Sequence, residues 1–137
     1  MEALNFIGLK QKNLREERGQ TLVEFAMVLP LIAVLLFGVI QFGIAFNNYV
    51  TLTDAVRAGA RKAAVSRQSA DPVGAATAAV VSSASDLNSA NLKVSVSSDW
   101  LPGDPVTVTA TYPYSINLLG VVVKTGSLSS KTTERVE

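Results

Sequence analysis

The sequence predicts an α+β protein: a long N-terminal helix, transmembrane in its first half, with a second short helix and a small antiparallel β-sheet packed on it. Three observations predict it. No charged side chain occurs from Phe25 to Thr53. From Asn47 to Gln68 small and apolar residues keep helical spacing with no proline. After Asp86 the spacing changes to two, the period of a strand with one buried face.

The apolar run Phe25–Phe46, "FAMVLPLIAVLLFGVIQFGIAF", has Gln41 as its one strongly polar member. At ~1.5 Å per residue it spans a hydrocarbon core of ~30 Å. The remainder of the chain is too small and polar to bury such a helix on all sides. A cleaved secretory signal fits less well, because the run exceeds the usual h-region of about 7–15 residues and leads into "NNYVTLTDAV" without an A-x-A-like site. Lys10, Lys12, Arg15 and Arg18 precede the run, and the first basic residue after it is Arg57. The positive-inside rule therefore places the N-terminus in the cytoplasm and the C-terminal part outside.

Beyond the span the helix is expected to continue, with Leu52, Val56, Ala60, Ala63 and Ala64 on its apolar side. Ala55, Gly59 and Ala63 fall four apart, a stripe of small side chains that lets another helix approach closely. Arg57 and Arg61 share a face and are read as solvated, with Asp54 placed to offset Arg57. "SADPVGAATAAVVSSAS" then restarts a helix over about Pro72 to Ala84: Asp71 suits the N-cap and Pro72 the first helical position. Val73, Ala76, Val80 and Val81 are its expected packing residues.

Leu92, Val94 and Val96 alternate with polar residues, as do Val106, Val108, Ala110 and Tyr112. Between them Pro102-Gly103 signals a type II turn, which needs positive φ at its third position. Pro113 is expected to close the second strand. Val121–Lys124 and Leu128–Val136 form two further candidates separated by Thr125-Gly126. Trp100 stands as either a core anchor or an interface residue.

Composition narrows the chemistry. The 137 residues include no Cys and no His, which excludes Cys nucleophiles, Ser-His-Asp triads and the usual structural zinc sites. No cofactor and no metal site is expected. A net charge of +1 with no basic stripe gives no nucleic-acid footprint. Asp99 and Asp104 flank the Trp100–Gly103 turn, where Asp ordinarily serves the turn itself. An enzyme is the least supported class.

The stretch "RGQTLVEF", Arg18–Phe25, carries the functional signal. A polar, charged leader ends at Gly19, and Glu24-Phe25 opens the apolar run. This resembles a class III, prepilin-type signal, cut on the cytoplasmic side between Gly19 and Gln20. A glycine there lets an extended backbone enter a narrow protease groove. Glu24 would become the fifth residue of the mature chain. A carboxylate entering hydrocarbon costs a few kcal/mol at the bilayer centre and less near its edge. Cleavage creates a cation, the α-amino group of Gln20, at similar depth. A neighbouring subunit's amine could neutralise Glu24, and because an unpaired buried charge is strongly disfavoured, the pair would set register.

"GQTLVEFAMVLPLIAVLLFGVIQFG" followed by "AVRAGARKAAV" resembles the TadE-like pseudopilins of the tight-adherence (Flp) pilus system, a branch of the type IV pilin superfamily. The resemblance rests on Gly19, Glu24-Phe25, Leu29-Pro30 and Ala55-Val56-Arg57-Ala58-Gly59-Ala60-Arg61. It is specific over roughly Arg18–Val65 and looser through "PGDPVTVTATYPY" and "TTERVE". It implies a type IV pilin-like fold, processing by a prepilin peptidase, and assembly with other pilins on an inner-membrane platform. It also implies a minor-subunit role in pilus biogenesis, with membrane lipid around the helix and no nucleic acid. The expected organisation is 1–19 leader, 20–46 transmembrane and assembly helix, and 47–137 extracytoplasmic α+β domain. Pro30, which removes a helix hydrogen bond, would suit a subunit that changes packing partners. A major pilin and an uncleaved single-pass anchor with a partner-binding domain are the competing readings.

Overall fold

The computed structural model describes residues 2–118 and 120–137, with side chains from Gly19 onward. Among the described residues the elements in order are α1 (Glu2–Ala64), α2 (Pro72–Ser83), a 3-10 turn (Ser89–Asn91), β1 (Lys93–Ser97), β2 (Pro105–Leu118) and β3 (Val121–Arg135). The chain divides into two compact parts, Met1–Val39 and Ile40–Glu137.

The first part is the leading portion of α1. From Gly19 to Ile32 every residue is exposed, apolar ones included. Helix formation there follows from local propensity and from the absence of any breaker but Pro30, through which α1 runs unbroken. The side chains of Lys10, Lys12, Arg15 and Arg18, which carry the expected orientation, lie outside the described residues.

The second part holds the core. Leu52, Val56, Val80, Val106 and Val108 are its largest fully buried side chains, with Ala55, Ala60, Ala63, Ala76 and Ala110 filling the gaps between elements. α2 begins as expected: the Gly74 N–H donates to Asp71 Oδ1 at 2.8 Å, and Pro72 occupies the first turn. Its buried line is Ala76, Val80 and Ala84, spaced by four; Val73 and Val81 point off that line and are exposed. Two of the four expected packing residues are therefore corrected. A helix of this length has room for one narrow seam, and Ala76 with Val80 sets its direction.

The sheet is an antiparallel meander in the order β1-β2-β3. Gly103 has φ +83° and the Asp104 N–H donates to the Leu101 carbonyl at 3.1 Å, closing the predicted Pro-Gly turn. Trp100, just before it, has φ +56°, uncommon for a bulky residue, and packs half-buried against the core.

Two strand boundaries depart from expectation. β2 continues through Pro113 to Leu118. β1 pairs with β2 no further than Thr111, so beyond that point β2 is an edge strand beside β3, the setting in which a proline is tolerated. β3 runs unbroken through Gly126, merging the two candidates. Gly126 pairs with Tyr114, whose ring lies so close that a Cβ on Gly126 would stand 2.8 Å from Tyr114 Cε1. The aromatic ring covers the glycine backbone, and the ladder survives the residue that read as a breaker.

Candidate functional site

Gly19 and Gln20 lie on the exposed surface of α1, and a Cβ built on Gly19 would meet nothing within 4 Å. No packing contact therefore calls for glycine, which inside a helix costs roughly 0.5–1 kcal/mol relative to Ala. Four residues on, one turn along the same face, Gln20 Nε2 donates to Glu24 Oε1 at 3.1 Å. Glu24 thus has a neutral partner within its own chain. The spacing of four, one helical turn, is the signal for this pair in the sequence. Phe25 is exposed beside Glu24, and Pro30 follows on the same helix. The Pro30 ring leaves the Ala26 carbonyl without its usual helical donor. These five residues share one stretch of α1.

Ala55, Gly59 and Ala63 belong to a different environment. All three are buried, and α2 of the same chain lies over Gly59: a Cβ added there would collide with Val80 Cγ2 and stand 3.2 Å from the Ala76 carbonyl. At Gly59 the small stripe is thus occupied by the chain's own second helix. Arg57 Nη1 and Asp54 Oδ1 pair at 3.4 Å, exposed, an arrangement worth little in stability.

A clasp at the far end of α1 went unanticipated. The Glu137 N–H donates to the Ala64 carbonyl at 3.0 Å, and Arg67 Nε donates to the main-chain oxygen of Glu137 at 3.0 Å. Val136 is buried in the core and exchanges backbone hydrogen bonds with Gly103 and Asp104. The Glu137 N–H satisfies one of the carbonyls left open at a helix C-terminus, and the clasp fixes where the helix hands over to the domain. Asp104 serves this junction through its backbone. Among the described residues no group of three or more acidic, His or Cys side chains is placed to hold a metal.

The arrangement defines a class: an α+β, pilin-like chain whose α1 carries an apolar stretch long enough to cross a membrane, with no residue of its most apolar window buried in the described protein. Within that class, the family model described as TadE-like protein matches residues 19–61. The matched segment opens on Gly19 and closes on Arg61, the two ends of the motif set read from the sequence. No curated protein and no solved structure matches the chain.

Proposed function

We propose that this protein is a pilin-like minor subunit of a tight-adherence pilus, anchored by α1 in the cytoplasmic membrane and matured by prepilin peptidase between Gly19 and Gln20. The observation that carries this reading is the TadE-like match that begins at Gly19 and includes Glu24-Phe25 at the mouth of a charge-free run. A helical glycine with no packing role adds support, since glycine eases the unwinding that a protease groove requires. After cleavage, the α-amino group of Gln20 is a cation one turn from Glu24. A neighbouring copy's amine, brought alongside by axial stagger, would then compete with the Gln20 amide for the carboxylate. Both bonds end on the carboxylate, but the ammonium adds a charge–charge attraction that the neutral amide lacks, so the exchange favours assembly. The α+β part projects on the extracytoplasmic side in this reading, and the assembly platform and other pilins are its partners.

Intact mass and N-terminal sequencing of the protein from native membranes, with and without the peptidase, test the proposal. A chain starting at Gln20 solely in the peptidase-positive strain is the expected result. Retention of the leader in both strains would sink it. Given cleavage, Glu24→Ala should be processed normally yet fail to co-purify with other pilins, while Glu24→Asp keeps part of that association. Abundance in sheared filaments separates shaft from minor subunit, the latter being sparse.

One observation favours the uncleaved anchor instead. Glu24 is already hydrogen-bonded within its own chain and α1 is continuous across Gly19. On that reading Gly19→Ala and Glu24→Ala both leave mass and partner recovery unchanged.

A further inference from the structure

The β2–β3 hairpin has two different ends. Near the core, Val106, Val108 and Ala110 point inward, while the opposite face carries Thr107, Thr109 and Thr111 across from Thr133, Lys131 and Ser129. That is the ordinary sheet with one wet face. At the tip the alternation stops. Val121, Val122 and Val123 are consecutive and 66, 56 and 60% exposed. Val121 and Val122, paired with Leu118 and Asn117, point to opposite faces, and Val123 is the extra residue of a bulge, so this end of the ribbon shows apolar side chains on both sides. From Pro105 to Val123 the sequence has no charge, and Lys124 is the first after the tip.

The direction of the hairpin says what it meets. Val108 Cγ1 lies 3.6 Å from where a Gly59 Cβ would stand. Eight residues further along β2, Ile116 lines a groove of about 390 Å³ with Tyr114, Leu128, Phe42, Phe46 and Tyr49. Eight strand residues cover ~26 Å, and the seventeen residues from Gly59 back to Phe42 also cover ~26 Å of helix. β2 therefore runs alongside α1 in the opposite sense, and by Ile116 it has reached Phe42, inside the apolar run Phe25–Phe46. The tip lies beyond Ile116 in that same direction.

We propose that the tip of the β2–β3 hairpin, Leu118 with Val121–Val123, is a second membrane contact that seats in the outer headgroup–acyl boundary beside α1. This rests on α1 spanning the membrane. Apolar side chains on both faces and the absence of charge fit lipid contact. Lys124 stands where its stem can lie along the apolar surface while its ammonium reaches the headgroups. Open strand edges limit the depth, because unpaired backbone groups are costly in hydrocarbon. The hairpin accordingly seats at the boundary and does not span. Holding the domain at two points, helix and hairpin, would fix its rotation about the α1 axis before assembly.

The chain has no cysteine, so single labels are clean. The full-length protein carrying Val122→Cys, Ser129→Cys or Leu36→Cys is labelled with an environment-sensitive fluorophore. It is then reconstituted in phosphatidylcholine–phosphatidylglycerol vesicles at low protein density. Nitroxide lipids labelled near the headgroup end should quench the Val122 probe severalfold more than the Ser129 probe, with iodide showing the reverse order. Equal iodide access at Val122 and Ser129 overturns the proposal. So does a Val122 probe shielded from iodide yet untouched by nitroxide lipid, or shielded in proportion to protein density, either of which marks a contact with a second copy. The Leu36 probe separates the two failures: if lipid nitroxides do not reach it, the span itself is refuted, whereas Leu36 quenched with Val122 unquenched refutes the hairpin alone.

Discussion

Two stretches of α1 are both helical and both rich in apolar residues, yet they have opposite fates. In Leu22–Phe46 the large side chains Leu, Ile, Val and Phe are left exposed by the described chain. In Leu52–Ala64 the residues are mostly Ala, Gly and Val, and one face is completely covered, with Leu52, Ala55, Val56, Ala60 and Ala63 fully buried. Hydrophobicity alone would rank the first stretch as the core. Side-chain size decides otherwise: small residues allow α2 and the sheet to come close enough to exclude water, whereas bulky ones all round a helix suit a solvent of lipid tails.

The comparison can be broken most forcefully at Gly59. Gly59→Leu inserts a side chain where Val80 and the Ala76 carbonyl leave no room, and we expect about 3 kcal/mol of destabilisation. A thermal melt in detergent followed by circular dichroism would show it; an unshifted midpoint would mean that α2 does not sit on this stripe. Val80→Ala comes next, with a loss of roughly 2 kcal/mol from the cavity left under α2. Asp71→Ala removes the cap from the Gly74 N–H and should cost about 1 kcal/mol. Asp71→Asn should recover most of that, which distinguishes capping from charge. The smallest effect belongs to the other stretch. Leu31→Ala, exposed and covered by nothing in the described chain, should change the same melt by less than about 0.5 kcal/mol. A large shift there would place Leu31 in a packed interior and erase the contrast.

Much of this was legible before any coordinates. Periodicity located α2 and its Asp71 cap, the Pro102-Gly103 turn and the alternating half of β2, because each depends on residues close together in the chain. Reading failed where a distant partner rescued a local breaker. Pro113 did not end β2, since by then β1 had dropped away and no ladder hydrogen bond was lost on that side. Gly126 did not interrupt β3, because Tyr114 across the ribbon covers it. The packing face of α2 was misjudged at Val73 and Val81 for a related reason. Seven Ala and Val positions on twelve residues admit more than one seam, and the surface of α1 chose among them. At the candidate processing segment, Gly19, Glu24 and Phe25 stand out by sequence alone, and the Gln20–Glu24 bond follows from a spacing of four on one helix face.

The apolar span, the motif set from Gly19 to Arg61 that the TadE-like model matches and the α+β order of elements are all written in the chain's local pattern. These follow from charge exclusion, local spacing and period, which act over a few residues. The fit between distant segments set that α2 of the same chain lies over Gly59 in the small stripe and that Val136–Glu137 clasps the end of α1. It also decided that β2 and β3 run on as a ribbon alongside α1 as far as Phe42. Each of these is a contact between segments far apart in sequence, set by which surfaces fit together, and no local pattern encodes the fit.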